Sequence, residues 1–504
     1  MFPMGFTTLD YIVLVVYLAG VAVFGMLRGG KQQTARDYFL GKETIPWWVV
    51  CFSIVAAETS TLTFISIPGL AYLTNLGFLQ VTIGYLLGRI AVSFLFLPAY
   101  YKGELATAYG FLENRFGSKT RSLASVVFLF TRIAADGVRL FATAIPLKFV
   151  LGVEYPVAIA ILAAVALLYT YAGGVRGVIW VDAVQMVIYI GGALLAAVLL
   201  VNSHPGGWMG ITQLASDAGK FQVFTLGLDS EFWSKPYTLF AGIFGGAFLS
   251  MASHGTDQLV VQRVLTTKSL AAGRKALIWS GIIIIAQFTL FLIVGLLLYG
   301  HYNGATVAEL GLKRADEIFP RYIIEGLPPG VSGFIIAGLF AAALSTLAGS
   351  MSSMASSTVL DLYKPRAGAG LTPEKELRFS RLVTVLWAVM LVLSAAFFMN
   401  TSQAVVELAL SIASFTYGGL LGTFLLGVLF TRPREEDALA AFVGGILVMI
   451  TVISLKLVAW TWFTMIGVAA TLVIGVGLSA LGKRKTQAHA VSSPIDSCEN
   501  NRDF

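Results

Sequence analysis

Long apolar runs alternate along this chain with short charged or polar segments. A run of roughly 18 or more apolar residues is long enough for a helix to cross the hydrocarbon core of a bilayer. On that criterion the pattern predicts thirteen spans, over 8–27, 47–73, 78–100, 123–151, 156–172, 177–202, 238–262, 274–300, 331–361, 379–399, 404–430, 438–457 and 459–481. The fold class is therefore an all-α polytopic membrane protein. The first run has no small-residue cleavage site and reads as a retained helix.

Charge placement orients the spans. Basic residues gather after the odd-numbered ones: Arg28, Lys31, Arg36 and Lys42; Lys102, Arg115, Lys119 and Arg121; Arg176; Arg263, Lys268, Arg274 and Lys275; Lys364, Arg366, Lys375 and Arg378; Arg432 and Arg434; Lys483, Arg484 and Lys485. The positive-inside bias predicts an outside N-terminus and a cytoplasmic C-terminus in a cell membrane. An odd number of spans agrees with it.

Composition narrows the class further. Of 504 residues, 57% are hydrophobic and only 12% charged, too few charges to cover a soluble protein of this length. The formal charge of +7 lies in short loops, which points to the lipid bilayer and not to nucleic acid. Cys51 falls in a span and Cys498 in the tail, so no disulfide framework is indicated. Residues 1–482 are expected to form one integral domain and 483–504 a polar, disordered cytoplasmic tail. No room remains for a fused kinase, nucleotide-binding module or nuclease.

The informative positions are polar groups inside the spans, because an ionisable residue at membrane depth costs about 2.5–3.5 kcal/mol on insertion scales. The second span contains "IVAAETSTLTFISIPGLAY" (54–72), with Glu58, five hydroxyl side chains, Pro68 and Gly69. Hydroxyls that compete for the backbone, followed by proline and glycine, predict an interrupted helix, tolerable only where its freed carbonyls line a cavity or bind something. In the ninth span Ala342, Ser345 and Thr346 share one face at i, i+3 and i+4. Two hydroxyls plus backbone carbonyls suit Na⁺ and lack the carboxylates of a Ca²⁺ cage. Small-residue helix packing is the alternative there.

In the fourth span Arg132, Asp136 and Arg139 share a face. Asp136 can pair with either arginine, leaving one positive charge for an anionic solute or a carboxylate such as Glu58; self-neutralisation with snorkelling is the alternative. His254 is a lone histidine at membrane depth, suited to hydrogen bonding rather than to zinc. No catalytic constellation is present, which argues against an enzyme.

The segments "DYFLGKETIPWWVVCFSIVAAETSTLTFISIPGLAY", "YAGGVRGVIWVDAVQ", "GTDQLVVQRVLTTKS" and "AAALSTLAGSMSSMASSTVLDLY", in that order, resemble the sodium:solute symporter family. The resemblance implies the leucine-transporter type of fold: two five-helix units of inverted topology, about 47–202 and 238–430, with site helices broken at the midplane. It implies Na⁺ as coupling ion and no organic cofactor. Carried over by motif, the Na⁺ ligands would be the carbonyls of Ala56, Thr59 and Ala342 and the hydroxyls of Ser345 and Thr346. Asp182 would lie beneath this site and shape ion release. The solute pocket would draw on Glu58, Ser60, Thr63, Phe78, Gln80, Thr82, Arg139, Ser250, Ser253, His254 and Ser411.

Departures refine this expectation. Members with a second Na⁺ site carry further serines one turn beyond the shared pair; here those positions are Ala348 and Gly349, which favours one Na⁺ per solute. The sugar transporters' lysine aligns with Ile284, near Gln287, and an aromatic of the proline transporters with Leu62. The expected function is Na⁺-driven uptake of a small polar organic solute (amino acid, hydroxy or sugar acid, or sugar) by alternating access, in a functional monomer. A proton-coupled carrier, with Glu58 or Asp182 as proton site, and a non-transporting solute sensor are the alternatives.

Overall fold

The computed structural model describes residues 6–42, 44–367, 372–399 and 405–481, with side chains for all of these except 149–151 and 405–415. Among the described residues every regular element is helical. Eight helices among these residues are long and apolar enough to cross a membrane, and a pair bent by 66° makes a ninth candidate.

Each predicted span has its helix. The first is Thr8–Gly29, the third Leu79–Leu95 with its continuation Leu97–Lys102, and the fourth Ser118–Leu151. The fifth and sixth form one 49-residue element, Tyr155–Ser203, interrupted only at Gly174. The expected loop between them is absent. Gly174 makes the turn alone, with φ 57° and ψ −164°, a conformation open to glycine and closed to most side chains. The eighth span is Leu270–His301, the ninth Val331–Ser357 continuing through Thr358–Tyr363, and the tenth Pro373–Phe398. Val405–Leu429, Glu435–Ser454 and Phe463–Leu481 complete the set.

Two spans are broken, and they are the first of each predicted five-span unit. Span two runs as Trp47–Glu58 and Thr61–Leu73. Span seven runs as Ala241–Gly245, Gly246–Gly255 and Gln258–Val264. In span two the extended residues are Thr59 (φ −81°, ψ 107°) and Ser60 (φ −101°, ψ 171°), inside the hydroxyl-rich stretch. Pro68 does not break the chain; the second half runs through it to Leu73. In span seven Asp257 is the extended residue and caps the following helix, accepting from the Leu259 amide at 2.9 Å.

Polar ties fix the scaffold around these breaks. Asp10 of span one is buried and accepts from the amides of Gly330 and Gly333, at 2.8 and 2.7 Å, at the start of span nine. Glu435 at the start of span twelve accepts from the amide of Lys119, at 2.8 Å, at the start of span four. The loop between spans six and seven is tied to the end of span two through Lys220, whose ammonium donates to the carbonyls of Tyr72 and Thr74 at 2.7 and 3.1 Å and sits 4.3 Å from the Tyr299 ring centroid. Burial holds the Lys220 pKa below its ordinary value.

Candidate functional site: the broken spans

The helical ladder of span two ends where the Thr59 amide donates to the Val55 carbonyl at 3.1 Å. The carbonyls that follow belong to an open helix end. Span nine faces that end. The Thr346 hydroxyl lies 3.3 Å from both the Ala57 and the Ala342 carbonyl oxygens and can donate to either. Ser345 is fully buried, and its hydroxyl has no hydrogen-bond partner. The structure thus brings the predicted hydroxyl pair to the predicted break, with Ala57, the residue after Ala56, making the direct contact. Ala56, Thr59 and Ala342 are all fully buried. Neutral oxygens and an unmatched hydroxyl fit a singly charged hard cation. Among the described residues no group of three or more His, Cys, Asp or Glu is placed to hold a metal.

The Thr59 side chain explains why the helix opens here. Its hydroxyl donates to the Val55 carbonyl at 2.8 Å and accepts from the Gln287 amide at 2.7 Å. The Tyr189 hydroxyl lies 3.3 Å from it and 3.1 Å from the Gln287 carbonyl oxygen. Spans six and eight therefore hold the break open from one side. Gln287 and Tyr189 are absent from the predicted site.

Asp182 is fully buried, and it is already paired. One carboxylate oxygen accepts from Ser53 at 2.6 Å and from Arg263 at 2.9 Å. This corrects the charge reading of Arg263. It is not a loop charge but lies in the second half of span seven, 1% exposed. The other basic residues after span seven still support the bias.

Glu58 also has an arginine. It forms an ion pair with Arg89 of span three, whose side chain is fully buried and donates to the Ser280 hydroxyl at 2.8 Å. His254 Nε2 lies 3.6 Å from the same Glu58 oxygen, and its Nδ1 is 2.8 Å from the Ser253 hydroxyl. The Ser250 hydroxyl donates to the Tyr85 carbonyl at 2.9 Å. Glu58, Ser250, Ser253 and His254 thus form one cluster with Arg89.

The expected surplus positive charge on span four does not exist. Arg132 pairs with Asp257, which also accepts from the Tyr417 hydroxyl at 2.8 Å. Asp136 takes Arg139 at 2.7 Å, Arg132 at 3.5 Å and the Ser350 hydroxyl. Two arginines thus meet two carboxylates, the second supplied by the break in span seven.

The remaining solute candidates separate. Ser60 and Arg139 line a cavity with Thr61, Asp136, Thr143 and Thr346, between the second half of span two and spans four and nine. Arg139 has 28% of its side chain exposed. The Thr63 hydroxyl accepts from the Ser60 amide at 3.4 Å. Phe78 stacks on Phe288, with centroids 5.1 Å apart. Gln80 and Thr82 bond to backbone. The Gln80 amide is committed to backbone, donating to Gly77 and Tyr237 carbonyls at 3.1 Å and accepting from the Thr225 amide at 3.2 Å. Thr82 donates to the Leu79 carbonyl at 2.8 Å. Both hydrogen-bond to backbone near the start of span three. The Ser411 side chain lies outside the described residues.

With this geometry in hand, comparisons become specific. The chain is 28% identical over 474 residues to the sodium/sialic acid symporter NanT of Aliivibrio fischeri, covering 93% of this chain and 92% of that one. It is 29% identical over 450 residues to the sodium/sialic acid symporter SiaT of Proteus mirabilis, at 88% and 89% coverage. A solved Na⁺-coupled sialic acid symporter, in a substrate-bound outward-open state, superposes with a TM-score of 0.86 at 26% identity, over 94% of this chain and 98% of that one. The nucleobase-cation-symport-1 family transporter Mhp1 matches at a TM-score of 0.53 and 12% identity, over 88% and 93%, a likeness of fold alone. That fold has the leucine-transporter architecture. The family model for sodium:solute symporters matches residues 38–445. The chain belongs to the sodium:solute symporter family, and is a Na⁺-coupled secondary transporter and not an enzyme.

Proposed function

We propose that one Na⁺ binds between the open end of span two and the Ser345–Thr346 pair, and that a small polar organic solute binds in the adjoining cavity. The observation that carries this reading is the meeting of a helix end with a buried, unpartnered Ser345 hydroxyl. Ala56, Thr59, Ala342, Ser345 and Thr346 supply the oxygens. Na⁺ would draw the two spans together and so order the cavity wall, which includes Thr346. Ion and solute then raise each other's affinity by one coupling free energy. Rocking of the broken spans against the scaffold exposes both to the cytoplasm, where low Na⁺ empties the site.

The relatives named for sialic acid, and a human sodium-coupled monocarboxylate transporter 28% identical to this chain, take solutes that carry a carboxylate. Arg139, which meets Asp136 through one terminal nitrogen and keeps 28% of its side chain exposed, is the cation such a group would share at the cavity, with Ser60, Thr61 and Thr143 for hydroxyls. A hydroxy or sugar acid is thus favoured over a neutral sugar. One Na⁺ carried with one monoanion moves no net charge, whereas a neutral solute would make uptake electrogenic, gaining about 2.3 kcal/mol per 100 mV. The functional unit is a monomer in the cell membrane, with the N-terminus outside, residues 1–482 forming one domain and 483–504 a cytoplasmic tail.

Uptake into proteoliposomes under separate Na⁺, H⁺ and voltage gradients tests this. Accumulation driven by Na⁺ alone is expected. Accumulation driven by a pH gradient in Na⁺-free medium, or Na⁺-dependent binding without accumulation, would overturn it.

A further inference from the structure

The end of span one carries a basic cavity that the transport cycle does not use. Span one stops at Gly29, and Gly30 follows with φ 67°, which turns the chain away from the helix axis. A cavity of about 200 Å³ opens there, lined by residues 29–32 with Asp37, Lys42 and Arg176. Arg176 stands two residues past the Gly174 turn. One of its terminal nitrogens lies 3.5 Å from where a Cβ on Gly30 would sit, so the guanidinium rests close to bare backbone. The end of span one and the turn between spans five and six thus share one basic wall.

The acceptors in this wall already have donors. The Gln32 amide nitrogen lies within 3.3 Å of the Gly29, Gly30 and Ala172 carbonyls, which covers the negative end of span one. Asp37 accepts from the amides of Gln33 and Thr34, at 3.1 and 3.2 Å, at the start of Ala35–Leu40. Lys31 and Lys42 are exposed, and among the described residues neither has an ion-pair partner. Along 28–43 and at 176 the chain sets Arg28, Lys31, Arg36, Lys42 and Arg176 against Asp37 and Glu43, an excess of positive charge.

Aromatic neighbours give the depth of the cavity. The Arg28 guanidinium lies 4.9 Å from the Trp180 ring centroid, and Trp180 meets the Trp48 ring edge-on at 6.0 Å. Trp48 is 45% exposed. Tryptophans grouped with a basic side chain at the end of a span belong at the headgroup level of a bilayer. Val23 and Leu27, one turn apart on span one, are also exposed and run from the cavity into the apolar region. An occupant therefore finds cations around its head and an apolar strip beside its tail.

We infer that this cavity binds the phosphate of an anionic phospholipid, held by Lys31, Lys42 and Arg176, with an acyl chain along Leu27 and Val23. Basic pockets between spans suit such headgroups. Asp10 already ties the other end of span one to the start of span nine. The lipid then braces the opposite end, joining it to the turn between spans five and six. Inorganic phosphate has the same charged head without the chains, and the apolar strip favours the lipid.

The test follows thermal unfolding of the purified full-length protein in detergent at constant ionic strength. Phosphatidylglycerol, phosphatidylcholine or inorganic phosphate is added, and bound lipid is counted by native mass spectrometry. Phosphatidylglycerol should stabilise wild type saturably, and the other two far less. Lys31→Gln/Lys42→Gln should weaken phosphatidylglycerol binding about 25-fold, fivefold for each cation lost near the headgroup. Lys268→Gln/Lys275→Gln removes two exposed charges after span seven and should bind as wild type does. Unchanged phosphatidylglycerol binding in Lys31→Gln/Lys42→Gln, or an equal loss in both double variants, would overturn the inference. Inorganic phosphate stabilising wild type as strongly as phosphatidylglycerol would overturn the lipid assignment in favour of a free anion.

Discussion

Replacing Glu58 by alanine would leave the Arg89 guanidinium inside the protein with the Ser280 hydroxyl at 2.8 Å and no carboxylate. Breaking a buried ion pair from one side costs about 3–5 kcal/mol, because the remaining charge stays desolvated. The Glu58 side chain is 20% exposed, which admits some water and places the loss near the lower end, about 3 kcal/mol. Removing both charges together, as Glu58→Gln with Arg89→Met, should cost far less than the sum of the single changes. The assay is a double-mutant cycle on unfolding in detergent, run beside solute uptake. A coupling of about 2 kcal/mol or more is expected. Should Glu58→Ala lower solute affinity while unfolding as wild type does, with additive single changes, then Glu58 contacts solute and the pairing argument is refuted.

Three further outcomes follow from the same geometry. Arg139→Gln should raise the KM for an acidic solute about 10- to 100-fold, the worth of a charged hydrogen bond, with less effect on a neutral one; equal effects on both would remove Arg139 from carboxylate recognition. Gln80→Leu should destabilise the protein by about 1–3 kcal/mol, since the Thr225 amide and the Gly77 and Tyr237 carbonyls lose their partner. Its KM should stay near wild type, and a selective rise in KM would return Gln80 to the pocket. Asp257→Ala should strand Arg132 and lower thermal stability more than Asp257→Asn, which keeps an oxygen for the Leu259 amide and turns an amide N–H toward the Tyr417 hydroxyl, which can accept it; equal losses would mean that charge alone matters there.

What the sequence makes legible, and what it hides, divides by distance along the chain. The thirteen spans follow from local hydropathy, and the break at Thr59–Ser60 follows from hydroxyls crowded into an apolar run. The face shared by Ala342, Ser345 and Thr346 follows from helical period. Arg89, Arg263 and Asp257 are different. Each is a charge within or at the edge of an apolar run, and its partner lies 31, 81 or 125 residues away. Nothing local specifies such a pairing. Arg263 stands at the end of a run and so reads as a loop charge, although the valines around it, Val260, Val261 and Val264, are buried with it. The surplus charge expected on span four disappears for the same reason, since Asp257 belongs to a break that the sequence does not announce. Gln80 and Thr82 show a different ambiguity, since both side chains bond to backbone. A polar residue in an apolar run may serve its own backbone as well as a ligand, and only the coordinates distinguish these uses.

The central claim is that the helix end at Ala56–Thr59 and the hydroxyls of Ser345 and Thr346 bind Na⁺. Its most direct test is Na⁺ titration of purified wild-type and Ser345→Ala/Thr346→Ala protein, read as thermal stabilisation at constant ionic strength with choline as the balancing cation. Wild type should gain stability saturably with Na⁺, and the double variant, matched to it in Na⁺-free buffer, should lose that gain. An undiminished Na⁺ response in the double variant would contradict the account.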